Sequence, residues 1–358
     1  MRRIALVGVF PPPIGGVSIH IKRLQRLLRD RGILSHVYDV GAGDSKALCV
    51  IPTPNTLILS ISLYKSDENT VHYHGSSWIQ RVALILIKLI TGKRIIYTFH
   101  SFKEDFKDLS WSRRIFATIV AKQGDHFIAT ASHIREKLLG IGVLPNKIVT
   151  IPAFIPPSTE LNNVDFNTVP DNVWRFIEQH NPIIAANAYQ IAFYKGRDLY
   201  GVDMCVYLCA QLVKTFPELG FVFCLPNIGY AEYFRWLQTV IQQKGIKNNF
   251  LFVSNRFMEF YPILTKTNVF VRPTNTDGDA ISIREALHYG VPTVASDAVN
   301  RPSAVILFET RNQEDFSEKT KTALERRRRT LVQCDNVQHH ITIESYLRVY
   351  DSDMQDPL

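Results

Sequence analysis

Short β-rich runs alternate with helix-compatible stretches twice along this chain, on either side of one segment rich in Pro and Asn. In the first series the runs are Ile4 to Val9, Ser35 to Val40, Thr56 to Leu63, Thr70 to His74, Arg94 to Phe99, His126 to Ala131 and Lys147 to Phe154. Helical stretches lie between them at Ser18 to Asp30, Trp78 to Thr91, Ser112 to Lys122 and Ser132 to Leu139. In the second series the runs are Pro182 to Tyr189, Phe221 to Pro226, Asn249 to Val253, Asn268 to Arg272 and Pro292 to Ser296. Helices are expected there near Asp203 to Thr215, Tyr230 to Gln243 and Met258 to Thr265. Such alternation predicts a parallel, doubly wound sheet in each half. Pro156 to Pro170 reads as the linker. The expected layout is an α/β domain over 1–160, a second over 171–340, and a tail over 341–358 in which Ile341 to Tyr350 is helical. A length of 358 residues lets each half bury its own core. Ligands bind beyond the carboxyl ends of such strands, where His74, His100 and Thr130 emerge, and pockets favour inter-domain clefts.

The formal charge of +8 implies anionic company: nucleotides, acidic lipid surfaces or nucleic acid. Glu325 to Arg329 is strongly basic, but it sits in a mixed-charge helical segment without interleaved aromatics, the pattern of a solvated face, so no nucleic-acid partner is expected. The five cysteines (Cys49, Cys205, Cys209, Cys224, Cys334) are odd in number, and no histidine pair completes a metal pattern with Cys205 and Cys209. Reduced thiols in a cytoplasmic protein are expected, with no metal. Ile4 to Val9 is too short for the apolar core of a signal peptide, and no apolar run is long enough to span a membrane. Phe102 to Arg114 mixes aromatics with cations, which suits contact with anionic head groups and ordinary packing equally; Trp78 to Arg94 reads more as core.

The chemistry concentrates in PTNTDGDAISIREALHYGVPTVASD, Pro273 to Asp297. Strand, polar loop, helix and strand follow one another, with Asp277 in the loop and Glu285 on the helix, seven residues between them. Gly278 permits close approach of a ligand to the backbone. The helix start offers N–H groups and partial positive charge to an anion such as phosphate, while carboxylates accept hydrogen bonds from sugar hydroxyls. Ser282 and Glu285 also fit a capping box, in which the glutamate only satisfies backbone donors. Near the start of the chain, Pro11 to Gly16 joins the first strand to a helix, and its Gly15–Gly16 pair suits either a phosphate-approach loop or a plain turn.

Asp277, Glu285, Ala286, Leu287, Gly290, Val291 and Pro292 resemble the signature of the family 4 retaining glycosyltransferases of the GT-B fold. The Pro-rich Gly15–Gly16 loop is a companion feature of that family. The resemblance implies two Rossmann-like domains facing a central cleft, with the C-terminal helix packing back on the first domain. It implies transfer of a sugar from a nucleotide-activated donor to a saccharide or lipid-linked saccharide acceptor in cell-surface polysaccharide assembly, with no cofactor beyond the donor and no metal. Glu285 would then hold the nucleotide ribose, Asp277 the sugar hydroxyls, Ser282 and Ile283 the diphosphate through helix-start N–H groups, and His100 the sugar at its reacting carbon. Gly15 and Gly16 would let the acceptor side close over the diphosphate, and Arg301 would contact donor or acceptor. Localisation is expected to be cytoplasmic, with peripheral contact to the inner face of the membrane left open.

Departures are equally specific. Asp277 stands where the family usually has glutamate, and Ala280 where it usually has glycine. The family's phosphate-binding arginine is absent from Ala185 to Tyr189, and its lysine is replaced by Tyr200 in Tyr200–Gly201–Val202–Asp203. Lys195 and Arg197 lie just upstream and are the expected substitutes, solvated loop charges being the alternative. A noncatalytic GT-B-like binding protein is the rival reading. A nicotinamide-dependent oxidoreductase is disfavoured because the first loop lacks Gly-x-Gly-x-x-Gly.

Overall fold

Runs such as Ile4 to Val7 and Ile95 to Tyr97 are apolar on consecutive residues, so as strands they must be covered on both faces. A computed structural model describes residues 3–41, 47, 49–102, 104–157, 162–254, 259–327 and 337–351. It divides into two units, one made of residues 1–157 with 337–358, the other of 158–336.

Unit 1 comprises β1 (Arg3–Gly8), α1 (Gly16–Asp30), β2 (Leu34–Asp39), β3 (Val50–Pro52), α2 (Thr56–Lys65), β4 (Thr70–Tyr73), α3 (Trp78–Thr91) and β5 (Arg94–Phe99). It continues with α4 (Trp111–Gln123), β6 (His126–Ala129), α5 (Ser132–Gly140) and β7 (Ile148–Thr150). Its strands pair in parallel in the order β3-β2-β1-β4-β5-β6-β7. Alternate residues of β1 serve opposite layers: Ala5 and Val7 pack with side chains of α2 to α5, while Ile4 and Leu6 pack with α1.

Unit 2 comprises α6 (Asn162–Asn167), α7 (Asp171–Gln179), β8 (Ile183–Asn187), β9 (Phe193–Tyr194), β10 (Arg197–Asp198), α8 (Val202–Leu212), β11 (Gly220–Cys224) and α9 (Ala231–Gln243). β12 (Phe250–Val253), α10 (Tyr261–Leu264), β13 (Val269–Arg272), α11 (Ile281–His288), β14 (Thr293–Ser296), β15 (Ile306–Phe308) and α12 (Gln313–Arg327) complete it. Its main sheet is parallel, in the order β12-β11-β8-β13-β14-β15. The chain then returns to unit 1 as α13 (Val337–Tyr350), whose Tyr346, Val349 and Tyr350 join Ile4, Leu6 and Leu24 in the core. Strand order reverses between β1 and β4 in unit 1 and between β8 and β13 in unit 2, and each reversal opens a crevice at the carboxyl ends of the strands.

Three expectations are corrected. Thr56 to Leu63 is helix, not strand: Asn55 accepts the Ile58 N–H at 2.9 Å as N-cap, and Leu59 and Leu63, four apart, face the core. Lys147 to Phe154 is a strand only over Ile148–Thr150. The Pro156 to Pro170 segment is not a bare linker, since it carries α6, where the Tyr261 hydroxyl donates to buried Asp165 at 3.0 Å and Phe166 stacks on Trp174. Cys334 and Arg328 to Arg329 lie outside the described residues. Cys205, Cys209 and Cys224 are buried and unbridged, and Cys49 is exposed.

Tyr346 is wholly buried beneath β1 and α1. Tyr346→Ala is expected to cost about 3 kcal/mol, read as a lower urea midpoint at unchanged slope.

Candidate functional site

At the β8/β13 reversal of unit 2, the last residue of β13 reaches across to the last residue of β8. Arg272 Nη1 donates to the Asn187 carbonyl at 2.9 Å and to Asn187 Oδ1 at 3.2 Å. Its other edge grips Asp277 bidentately, Nε to Oδ2 at 3.0 Å and Nη2 to Oδ1 at 3.3 Å. Arg301, beyond β14, donates from Nη1 to the same Oδ2 at 3.1 Å and from Nη2 to Thr274 Oγ1 at 2.9 Å. Burial works against ionisation of Asp277, yet the two guanidiniums hold its carboxyl below the usual range. Two cations share one anion, so the triad carries excess positive charge at the crevice. The Arg272 guanidinium also lies 5.1 Å from the Tyr200 ring centroid. Asn187 closes the strand in which the resemblance expects an arginine, and Tyr200 holds the place of its lysine; Arg272 touches both.

The helix that follows settles the capping question. α11 begins at Ile281 with Ala280 as its N-cap and no side-chain cap, so Ser282 and Glu285 lie too far along the helix to form a capping box. Ser282 and Glu285 are buried in α11. The Ile283 N–H, expected to be offered to a ligand, donates instead to the Ala280 carbonyl at 3.0 Å, and the Ile283 side chain packs in the core. Asp279 and Arg284 pair at 2.6 and 2.8 Å and tie the loop to the first turn. Gly278 donates its N–H to Asp277 Oδ1 at 3.1 Å.

Next to this loop, the start of α8 is occupied by the protein's own carboxylate. Asp198 accepts N–H bonds from Tyr200, Gly201, Val202 and Asp203 at 2.8 to 3.2 Å. Gly201 has φ +65°, and a Cβ there would lie 2.3 Å from the Pro273 carbonyl, so only glycine lets α8 approach the Asp277 loop so closely. Lys195 and Arg197 sit elsewhere, at the exposed β9–β10 hairpin, with Lys195 at φ +49° in its turn. The cations that contact Asp277 are Arg272 and Arg301.

In unit 1 the crevice is lined by uncharged acceptors. Gly15 is the N-cap of α1, and Ser18 braces the diglycine turn by accepting the Gly15 N–H at 2.9 Å and donating to the Pro13 carbonyl at 2.7 Å. His20 on α1, His74 after β4 and His100 after β5 converge, with His74 Nδ1 and His100 Nε2 3.1 Å apart. Among the described residues they are the one group whose metal-ligating atoms all lie within 4.8 Å of one another. His20 Nδ1 must donate to the Ala153 carbonyl at 2.6 Å, which leaves its Nε2 a lone pair; this atom and His74 Nε2 have no hydrogen-bond partner. Burial drives the His20 pKa down to about 4 and those of His72, His74 and His100 well below the ordinary value. His72 is spent on Tyr350 and Thr98, at 2.5 and 2.6 Å, and so belongs to the attachment of α13. Thr130 donates to the Phe99 carbonyl at 3.1 Å.

Arg272 and His20 are not among the residues that the sequence marks for a site. Arg272 looked like the end of a buried strand, and His20 lies mid-helix among apolar residues; a charged residue closing a parallel strand was the available signal.

Two family models match the chain, Glycosyltransferase Family 4 over residues 14–159 and Glycosyl transferases group 1 over residues 176–346. Anabaena HepE in complex with UDP and glucose is similar at 14% identity and TM-score 0.69, covering 98% of this chain and 99% of that one. A glycosyltransferase from Rickettsia africae gives 15% and 0.71 over 99% and 100%, and sucrose-phosphate synthase from Thermosynechococcus elongatus 15% and 0.66 over 98% and 96%. No curated protein sequence matches.

A histidine kept neutral in the fold but free to protonate when unfolded favours unfolding as pH falls below the unfolded pKa of 6.5, until pH reaches the folded value. Stability is expected to be fully present above pH 6.5 and to fall towards pH 4, with His20 alone accounting for about 2 kcal/mol at pH 5. Urea titrations across that range, compared with His20→Asn, measure it.

Proposed function

Because the chain belongs to the family 4 glycosyltransferases of the GT-B fold, we propose that it is a retaining enzyme that moves a sugar from a nucleoside-diphosphate donor to an acceptor hydroxyl. The observation that carries this reading is the Arg272–Asp277–Arg301 triad at the strand-order reversal of unit 2. A departing diphosphate needs preorganised positive charge, and the excess charge of the triad supplies it beside the start of α11. Arg272 takes over the work of the family's missing arginine and lysine. Asp277 then serves to aim the two guanidiniums, Glu285 to hold the ribose, and the Ser282 N–H to meet a phosphate oxygen.

On this reading the acceptor oxygen attacks the anomeric carbon from the face of the leaving group. The bond from that carbon to the phosphate oxygen breaks as the bond to the acceptor forms, and the acceptor proton passes to the departing phosphate. His100, neutral at working pH, is assigned to orient the sugar through a hydrogen bond. We assign the acceptor side to unit 1, around Gly15 and Gly16, and a lipid-linked saccharide of cell-surface polysaccharide as the acceptor, with the enzyme working in the cytoplasm as a peripheral protein on the membrane. Arginine charge at the diphosphate supports transfer without a metal. The Asn187 and Tyr200 departures favour the alternative, a noncatalytic sugar-binding protein.

Thermal shift with uridine, guanosine and adenosine diphosphates is expected to show stabilisation by at least one of them, lost in Arg272→Gln. Glu285→Gln is expected to lower kcat/KM about 100-fold or more on a panel of nucleotide sugars at unchanged melting temperature. Wild-type protein that neither transfers nor hydrolyses any of them establishes the binding-protein reading. Dialysis against a chelator is expected to leave turnover unchanged; loss restored by zinc would put a metal on His20, His74 and His100.

A further inference from the structure

Helices that flank a parallel sheet normally turn their apolar stripe inward and show water a polar face. α2, α3 and α4, neighbours in the layer over Ala5 and Val7, do the opposite on their outer side. Leu57 of α2, Ile79, Leu86, Leu89 and Ile90 of α3, and Trp111 of α4 are exposed, Leu57, Leu89 and Ile90 each by about two thirds or more and Trp111 by 79%. α3 buries Leu84, Ile85 and Ile87 against the sheet together with Arg81, which donates to the Gly75 carbonyl at 2.9 Å with Phe99 and Trp78 against its guanidinium. Trp78 to Arg94, expected as core, is core at Leu84, Ile85 and Ile87 and exposed at Ile79, Leu86, Leu89 and Ile90, and Phe102 to Arg114 divides, with Phe102, Phe106 and Leu109 packed inward and Trp111 outward.

Charge on the same helices is one-sided. The three sequences hold Lys65, Arg81, Lys88, Arg113, Arg114 and Lys122 and no Asp or Glu; Arg81 is buried, Lys88 pairs with Asp125 and Arg113 with Glu104, so Lys65, Arg114 and Lys122 supply the positive charge of the face. Arg114 and Lys122 are exposed on the helix that presents Trp111. No described helix is long and apolar enough to cross a membrane.

We propose that the outer face of α2, α3 and α4 is a monotopic docking surface for an anionic lipid bilayer. Aliphatic side chains enter the acyl boundary, Trp111 sits at the headgroup level, and the flanking cations meet lipid phosphates. A second copy of the chain fits less well, because a self-complementary interface would set Lys65, Arg114 and Lys122 against one another with no carboxylate in the three helices to answer them. The inference rests on the proposed membrane location only for its biological sense; the surface itself stands without the donor assignment.

Co-sedimentation of the full chain with phosphatidylcholine vesicles, with and without phosphatidylglycerol, tests it. Binding is expected to the anionic vesicles, weakening with salt. Leu89→Glu with Ile90→Glu, both at exposed positions, is expected to reduce binding about tenfold or more, while Leu307→Glu, an exposed apolar site in unit 2, is expected to leave it unchanged. Melting temperature and the nucleoside-diphosphate thermal shift, measured on the same variants, separate loss of this surface from failure of the donor site. The proposal is overturned if wild type ignores anionic vesicles, if the double variant binds them as wild type does, or if the double variant instead converts a dimer to a monomer on gel filtration.

Discussion

One buried carboxylate shared by two guanidiniums holds the centre of unit 2 together. Asp277 sits on a loop that has no regular structure of its own, and what positions it is Arg272 from β13 and Arg301 from beyond β14. Removing a partner from such a buried pair typically costs about 3 to 5 kcal/mol, because the remaining charge keeps its desolvation penalty. The triad therefore also ties the ends of β8, β13 and β14 into one rim, through Asn187, Thr274 and the Ser296 carbonyl. Stability and site geometry rest on the same bonds.

The two crevices are electrically unlike. That of unit 2 is lined by arginine charge and a helix start, suited to an anion. That of unit 1 is lined by imidazoles that burial keeps neutral, with lone pairs suited to hydroxyl donors. A diphosphate suits the first kind of lining, and an uncharged ring rich in hydroxyls suits the second.

Much of this was legible before any coordinates. Short apolar runs such as Ile95 to Tyr97, alternating with helical stretches, fit a doubly covered strand, and the Asp277 to Pro292 spacing marked the loop and helix correctly. Legibility failed where side chains from distant strands decide the outcome. Thr56 to Leu63 has a strand's composition and is helical through its Asn55 cap and the burial of Leu59 and Leu63. Lys195 and Arg197 were near in sequence to the expected phosphate, but a hairpin carries them outward; Arg272, more than seventy residues on, reaches Asn187 because β13 lies beside β8. The Trp78 to Arg94 stretch was legible as core at Leu84, Ile85 and Ile87 and not as surface at Leu86, Leu89 and Ile90, because hydrophobicity alone does not tell which side of a helix meets the sheet.

The return of α13 to unit 1 bears on how the protein is made. Residues 337–350 complete a layer begun by residues 16–30, whereas everything in unit 2 is contiguous. During vectorial synthesis the ribosome therefore releases a finished second half while the first still lacks Tyr346, Val349 and Tyr350 against its sheet. Nascent chains spend most of their elongation with Ile4, Leu6 and Leu24 incompletely covered, so the earliest segment made is the last to close.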